Sequence, residues 1–491
     1  MRGGAWTTLG HVIPQLYVVA ISIAGARFLG PSDFGRQSFI AFVSLSVLLV
    51  LTSGIGLALM RTVAEALGRD RADEALGVAG WAWRLQLVGA ALGGGGLLAA
   101  AALGARPEAA WAFAGAFVAF GALQSISNAV LLGAQQFRSA ALVGAVTGAA
   151  MVPLIIGVLA LGGGITGMFA VEAVVAGANL LWTWILARRV LRGPSTSVPA
   201  LRRGALRFAA WTTLSALVTL VVWRRSEFLF LAHYSTDAQI GLYSIAFATV
   251  TAVSAIPEQL STVFVSAFAT LRGADAAERV RSGFARSLRL VVLATLPITA
   301  GAAAVGPELL KVVYGDLFEG AGTPLLIMVG VIPFLAVGSI ASALMSGYDD
   351  ARTPLLAGAF AAVVNVVLAF VLIPPYDATG AALANAGAQI SATLPLYVAA
   401  RRLSGPVRWE PGSLLRCGAA SAGCALAVVG VLALIDGPVG VVLAIVAGAA
   451  TFMALALGLR MLAAEDAAWL DGHLGHAFGG RAGWLLRRAA A

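Results

Sequence analysis

The chain of 491 residues is 60% apolar and only 11% charged, against roughly 45–50% and about 25% in soluble domains, which excludes a water-soluble fold. Its net charge of +9 is almost all arginine, with Lys311 the single lysine. No polar domain carries that charge as a basic patch, so nucleic acid is excluded as a partner and a membrane is implied.

Apolar segments long enough to cross a ~30 Å hydrocarbon core fall at 7–28, 37–60, 79–103, 109–132, 140–161 and 165–187, then at 207–232, 239–268, 287–306, 322–346, 353–373, 378–400, 413–435 and 437–459. In hydrocarbon each span must satisfy its own backbone hydrogen bonds, so all fourteen are predicted to be helices. Ala24-Gly25-Ala26 imitates a signal-peptide cleavage site, but the stretch before it holds His11, Pro14 and Gln15; the first span is expected to be retained.

Arginine and lysine in alternate loops set the orientation. With the amino terminus inside, 25 of the 32 basic residues fall on the cytoplasmic side and four (Arg27, Arg36, Arg106 and Lys311) on the other. A missing or extra span would invert every later loop and destroy this asymmetry. The expectation is a multi-pass protein of the cell inner (plasma) membrane with both termini cytoplasmic. Loops are short, which leaves no room for an extramembrane domain.

Two matches reveal an internal repeat. Gly35-Arg36-Gln37-Ser38-Phe39 corresponds to Gly241-Leu242-Tyr243-Ser244-Ile245, and Gly133, Arg138 and Gly144 correspond to Gly347, Arg352 and Gly358 with identical internal spacing. Six spans separate the copies and six is even, so the copies are parallel and a substrate path is expected between two bundles. This gives an all-α integral membrane fold: an N-terminal six-helix bundle (1–187), a basic cytoplasmic linker (188–206), a C-terminal six-helix bundle (207–400), two further helices (401–460) and a cytoplasmic tail (461–491).

Arg27-Phe28-Leu29-Gly30-Pro31-Ser32-Asp33-Phe34-Gly35 resembles the signature Arg-x-Leu-Gly-Pro-x-Asp-(Tyr/Phe)-Gly that follows the first helix of polysaccharide-unit flippases, in the multidrug/oligosaccharidyl-lipid/polysaccharide exporter superfamily. Gly241-Leu242-Tyr243-Ser244, Tyr314-Gly315 with Phe318, Asn365, and Ile373-Pro374-Pro375-Tyr376 leading to Gly380-Ala381-Ala382 are similar to further family motifs. The resemblance covers nearly the whole chain. It implies a V-shaped flippase that moves an undecaprenyl-pyrophosphate-linked oligosaccharide from the cytoplasmic to the outer leaflet by alternating access. Its partners would be that lipid-linked sugar, membrane lipids and polysaccharide polymerase machinery. The chain departs from the family in carrying Glu227 where members often have Asp.

Ionisable groups within spans face a cavity or one another by default. In the seventh span, Thr212, Ser215, Thr219 and Ser226 form one stripe at helical spacing, with Trp223 and Glu227 beside it. Arg224 and Glu227 are three apart and can pair, whereas Arg225 points elsewhere. The functional reading gives Arg224 or Arg225 the pyrophosphate and Glu227 a coupling cation. The alternative is that the arginines snorkel to the interface from the outer half of the membrane. Arg27, at the end of the first span, either lines the same cleft or anchors at the interface. Arg84, near the start of the third span, either receives a headgroup or snorkels.

Gly93-Gly94-Gly95-Gly96 lacks the Gly-Lys-Ser/Thr of a phosphate loop and lies within a span, so no nucleotide or other cofactor is expected. Cys417 and Cys424 have no metal-ligand spacing and read as helix-packing thiols. A membrane glycosyltransferase or polymerase would need catalysts on a substantial outer loop, which the chain lacks. Within the same superfamily, a lipid II flippase and a cation-coupled drug exporter remain alternative readings, and no enzymatic activity is expected.

Overall fold

The structure of the protein is a computed structural model that describes residues 2–191, 193–196, 199–223, 226–273, 277–350, 352–407, 409–462 and 466. The helices are α1 (Arg2–Gly68), α2 (Ala72–Ala102), α3 (Glu108–Gly133), α4 (Phe137–Ala160), α5 (Gly164–Val190), α6 (Pro199–Trp223), α7 (Glu227–Tyr234) and α8 (Asp237–Gly273). They are followed by α9 (Ala277–Tyr314), a 3-10 turn (Asp316–Ala321), α10 (Gly322–Val329), α11 (Ile332–Gly347), α12 (Arg352–Ser404), α13 (Pro411–Leu432) and α14 (Gly437–Gly458). Nine of the described helices are long and apolar enough to cross a membrane, and the pair around α10–α11, bent by 42°, makes a tenth. Two of the nine each hold two spans joined across a backbone break, and α6 and α8 complete the set, so about fourteen membrane helices are present.

Both breaks follow from sequence. In α1 the chain reverses at Gly30 (φ +73°, ψ 174°), a conformation open to a residue without Cβ, and Pro31 then restarts the helix with its φ already fixed. In α12 the break falls at Asp377 (φ +48°, ψ −127°), after Pro374 and Pro375. Asp377 is held there by a hydrogen bond that its carboxylate accepts from the Ser235 hydroxyl.

Left-handed residues recur along the chain in pairs. Gly104 and Gly315, Gln135 and Asp349, Gly164 and Asp377, and Gly193 and Gly405 all have positive φ and are separated by 211, 214, 213 and 212 residues. Each marks the end of a helix or the corner after it. The parallel repeat is thus written in the backbone as well as in the glycine matches.

The chain divides into two compact units. The first comprises Met1–Ala232 with Thr236–Gly241, and the second His233–Ser235 with Leu242–Ala491. In the first, α3 packs against α1, α2 and α5, and α6 lies along α1. Its core includes Ile40, Leu97, Ala114 and Phe169 in one cluster and Leu59, Val63, Ile126 and Leu131 in another. The Gly93–Gly96 run serves packing: a Cβ on Gly94 would lie 2.8 Å from the Gly115 carbonyl oxygen, which fixes a close α2–α3 crossing. In the second unit, α9 packs against α10, α11, α13 and α14. Cys417 is buried there with its thiol 3.4 Å from the Leu293 carbonyl, and Cys424 lies against Gly448; both thiols are free.

Contact and sequence repeat partition the chain differently at one place. The helix α6, which the repeat groups with the later spans, packs on α1 in the first unit. It also starts at Pro199, while α5 runs to Val190, so the basic linker is helical at both ends.

Candidate functional site

The two motifs recognised as repeat equivalents meet in space. At the break in α1 the segment from Gly30 to Gly35 turns a corner, and the first turn of α8 crosses it. A Cβ built on Gly35 would lie 1.7 Å from the Asp237 carbonyl oxygen, and one on Gly241 would lie 2.4 Å from that of Pro31. Only two facing glycines permit backbones this close. The Arg36 Nε donates a 2.6 Å hydrogen bond to Asp237 Oδ2, and Asp33 lies 3.7 Å from the same guanidinium. Both partners of the Arg36–Asp237 pair are more than a third exposed, so the bridge contributes less than about 1 kcal/mol. It selects the register of a crossing that the glycines make possible.

The residues singled out from sequence are distributed as follows. Arg27 is exposed one turn before the Gly30 break. Glu227 is completely buried at the start of α7, between buried Ser226 and Phe228. The Phe228 ring meets Phe42 edge-on at 5.5 Å, which places this turn of α7 against the second span in α1. Arg84 is exposed on α2, with Nε 3.4 Å from the carbonyl of Gly80 on its own helix. Arg224 and Arg225 lie outside the described residues. Of the polar stripe, Thr212 donates to the Phe208 carbonyl at 2.9 Å, satisfying its hydroxyl within α6. The side chains of Ser215, Thr219 and Trp223 lie outside those described.

Two attachments escaped sequence reasoning. Asp237 partners Arg36 from 201 residues away. Asp466 is 2% exposed and receives hydrogen bonds from Arg286 Nε (3.0 Å), Arg289 Nε (3.0 Å) and Arg289 Nη2 (2.8 Å), which ties the segment after α14 to the start of α9. The only signal in the sequence was the excess of arginine at that helix start, which orientation alone already explained.

A sequence model of the family described as "Polysaccharide biosynthesis protein" matches residues 25–322. No curated protein sequence matches the chain. Among solved structures, the fold is similar to that of the lipid II flippase MurJ in an inward closed conformation, at 15% identity and TM-score 0.75, covering 92% of this chain and 97% of that one. It is also similar to an inward-facing multidrug resistance MATE family transporter of the MOP superfamily, at 15% identity and TM-score 0.70, covering 82% and 98%. A MOP superfamily transporter from Pyrococcus furiosus aligns at 17% identity and TM-score 0.56, covering 83% and 96%.

Proposed function

The chain belongs to the polysaccharide biosynthesis protein family, within the superfamily of multidrug, oligosaccharidyl-lipid and polysaccharide exporters, and from that premise we propose that this membrane transporter flips an undecaprenyl-pyrophosphate-linked oligosaccharide from the cytoplasmic to the outer leaflet. The observation that carries the reading is the span of the family match, which begins two residues before Arg27 and runs through both motifs of the glycine crossing. The fold shared with a lipid II flippase over nearly the whole of both chains supports a lipid-linked cargo.

In this reading the bundles are 1–187 and 207–400, joined by the linker 188–206 and followed by the helix pair 401–460 and the tail 461–491. Both termini are cytoplasmic in the inner membrane. Reporter fusions after Gly193 and after Asp436 test this: cytoplasmic and external signals respectively are expected, and the reverse would overturn the topology. The protein performs no covalent chemistry on its cargo. Basic residues Arg27, Arg84, Arg224 and Arg225 supply guanidinium donors that replace hydration lost by the diphosphate, and Glu227 carries the coupling cation.

The deciding experiment measures outer-leaflet accessibility of the lipid-linked sugar in cells expressing each variant at matched level. An Arg27, Arg224 and Arg225 triple-alanine variant should lose flipping while inserting normally, and Glu227→Gln should lose dependence on an ion gradient. Wild-type flipping by the triple variant would make these arginines interface anchors. The fold likeness to MurJ also supports lipid II as cargo. Rescue of cells depleted of their lipid II flippase, without any effect on polysaccharide export, would select that second reading.

A further inference from the structure

A groove of about 590 Å³ opens at the basic end of α5, lined by Leu76, Trp184, Ile185, Arg188, Arg189 and Gly193 among others. It is a built feature. The helix α5 stops at Val190, Leu191 turns extended (φ −106°, ψ 105°), and Gly193 (φ +118°) turns the chain back. The returning segment is fastened to the first turns of α2: Thr196 N–H donates to the Asp73 carbonyl at 3.0 Å. A Cβ on Gly77 would lie 1.9 Å from the Thr196 carbonyl oxygen, so the segment lies directly on α2. The Asp73 carboxyl is held below its ordinary value, chiefly by a hydrogen bond from the Thr196 side chain. Leu76 therefore forms one wall and α5 the other.

The chemistry of the lining is one-sided. Both arginines are exposed, and neither forms a salt bridge among the described residues. The Arg188 guanidinium lies 4.5 Å from the centre of the Trp184 ring, a stacking that fixes its orientation. The nearby acids are occupied on the α2 side, Asp73 by Thr196 and Glu74 by Arg71 at 3.2 Å. The last carbonyls of α5 carry negative partial charge and disfavour an anion, so an anionic ligand must be held by the guanidiniums. Arginine recognises phosphate oxygens bidentately, indole belongs at headgroup depth, and basic pockets between spans on the cytoplasmic side take lipid phosphates. The volume lies within the ordinary range for ligand sites, about 300–1,000 Å³, and far exceeds one hydrated phosphate.

We propose that this groove binds the phosphate of an anionic glycerophospholipid in the cytoplasmic leaflet, with Arg188 and Arg189 as its donors and Trp184 as the platform. The inference rests on the topology proposed above only in placing this end at that leaflet. The test is native mass spectrometry of the detergent-purified full chain titrated with phosphatidylglycerol, phosphatidylcholine or undecaprenyl diphosphate. Phosphatidylglycerol should bind at least tenfold more weakly to the Arg188→Gln/Arg189→Gln variant, while Arg188→Lys/Arg189→Lys, which keeps the charge but loses the planar fork, retains only part of the binding. Arg203→Gln/Arg279→Gln, which removes the same charge elsewhere, should bind as wild type. Equal binding of phosphatidylcholine, an equal loss in the charge-matched control, or arginine-dependent retention of undecaprenyl diphosphate alone would each overturn the proposal. Binding is read without any flipping step, so a chain that binds phosphatidylglycerol here but moves no lipid-linked sugar would refute the proposed cargo and leave the groove standing.

Discussion

At the corner between α3 and α4, Gly133 ends one helix, Gln135 turns left-handed at φ +58°, and the Gln136 N–H closes back on the Leu131 carbonyl at 2.8 Å. At the corner between α11 and α12, Gly347, Asp349 at φ +58° and the 3.0 Å bond from Asp350 N–H to the Met345 carbonyl repeat the same path 214 residues later. Each glycine admits a neighbouring helix: a Cβ at Gly133 would lie 2.7 Å from the Met60 carbonyl oxygen, and one at Gly347 2.9 Å from Phe268 Cβ. The side chains then diverge. The second corner adds a cap, in which Asp350 accepts from the backbone N–H groups of Arg352 and Thr353 and from the Thr353 hydroxyl at 3.1, 3.0 and 2.6 Å. It also adds a bridge from Arg272 to Asp349 at 2.8 Å, with the guanidinium 5.1 Å from the Tyr348 ring centre. The first corner has no side-chain cap. Glycine and left-handed backbone therefore define the corner that the halves share, and at this corner polar attachment is an elaboration of the second half.

The greatest elaboration of that half is the Asp466 clamp, and its removal should produce the largest effect. Asp466→Ala would leave Arg286 and Arg289, 22% and 14% exposed, without the carboxylate they surround. Breaking a buried, hydrogen-bonded ion pair typically costs about 3–5 kcal/mol. The expected outcome is a clear drop in the melting temperature of the purified protein. An unchanged melt would show that the clamp adds nothing to the second half.

Next come the glycines, where the two halves should behave alike. Gly133→Ala and Gly347→Ala each force a methyl into a contact shorter than 3.0 Å, and overpacking of this kind costs about 1–3 kcal/mol. Similar losses in thermal stability are expected for the two variants. A harmless Gly133→Ala beside a damaging Gly347→Ala would break the equivalence on which the comparison stands.

Much of this architecture was legible because hydropathy, loop charge and glycine spacing are local or periodic signals. The separation of the spans 7–28 and 37–60 and the repeated corners announced themselves in that way. Side-chain pairing was not legible. Nothing within a few residues of Arg36 points to Asp237, and nothing near Arg289 points to Asp466; both contacts are set by how distant helices cross. Gly35 and Gly241 illustrate the limit, since sequence identified them as equivalent positions and only the structure shows that they touch. The candidate charges fare similarly: periodicity placed Glu227 beside a polar stripe and gave no sign of its complete burial, nor of the contact its neighbour Phe228 makes with Phe42, far away in the chain.

The Asp350 cap makes the halves differ in acid. Hydrogen bonds from the Thr353 side chain and backbone hold the Asp350 carboxyl below its ordinary value of 3.8. The unfolded chain therefore takes up the proton first as pH falls. The stabilisation from the cap is whole above about pH 5, declines below 3.8 and is gone once the pH lies beneath the folded value. Asp350→Asn, compared with wild type in melts across this range, should lower stability at neutral pH and converge with it in acid. A difference that persists unchanged at the acid end would assign the effect to packing instead of charge.

The smallest effect expected is also the most direct test of what separates the corners, because it transplants the missing cap. Gln136 is the residue before the first turn of α4, is exposed, and makes no side-chain bond to that turn. Gln136→Asp would supply a shorter side chain whose carboxylate can accept from the N–H groups of Arg138 and Ser139, as Asp350 does from Arg352 and Thr353. The negative charge would also sit favourably at the positive end of the helix dipole. The backbone there, at φ −81° and ψ 45°, is not the extended conformation that capping residues usually adopt, so part of the gain is offset by adjusting it. A stabilisation of at most about 1 kcal/mol is expected, read as a small rise in melting temperature that disappears in acid as the new carboxylate is protonated. A rise of that kind would show that the first corner lacks the cap for want of a residue. No rise, or a fall, would show that the two corners differ in backbone geometry despite their matching left-handed turns, and that the divergence between the halves begins before the side chains.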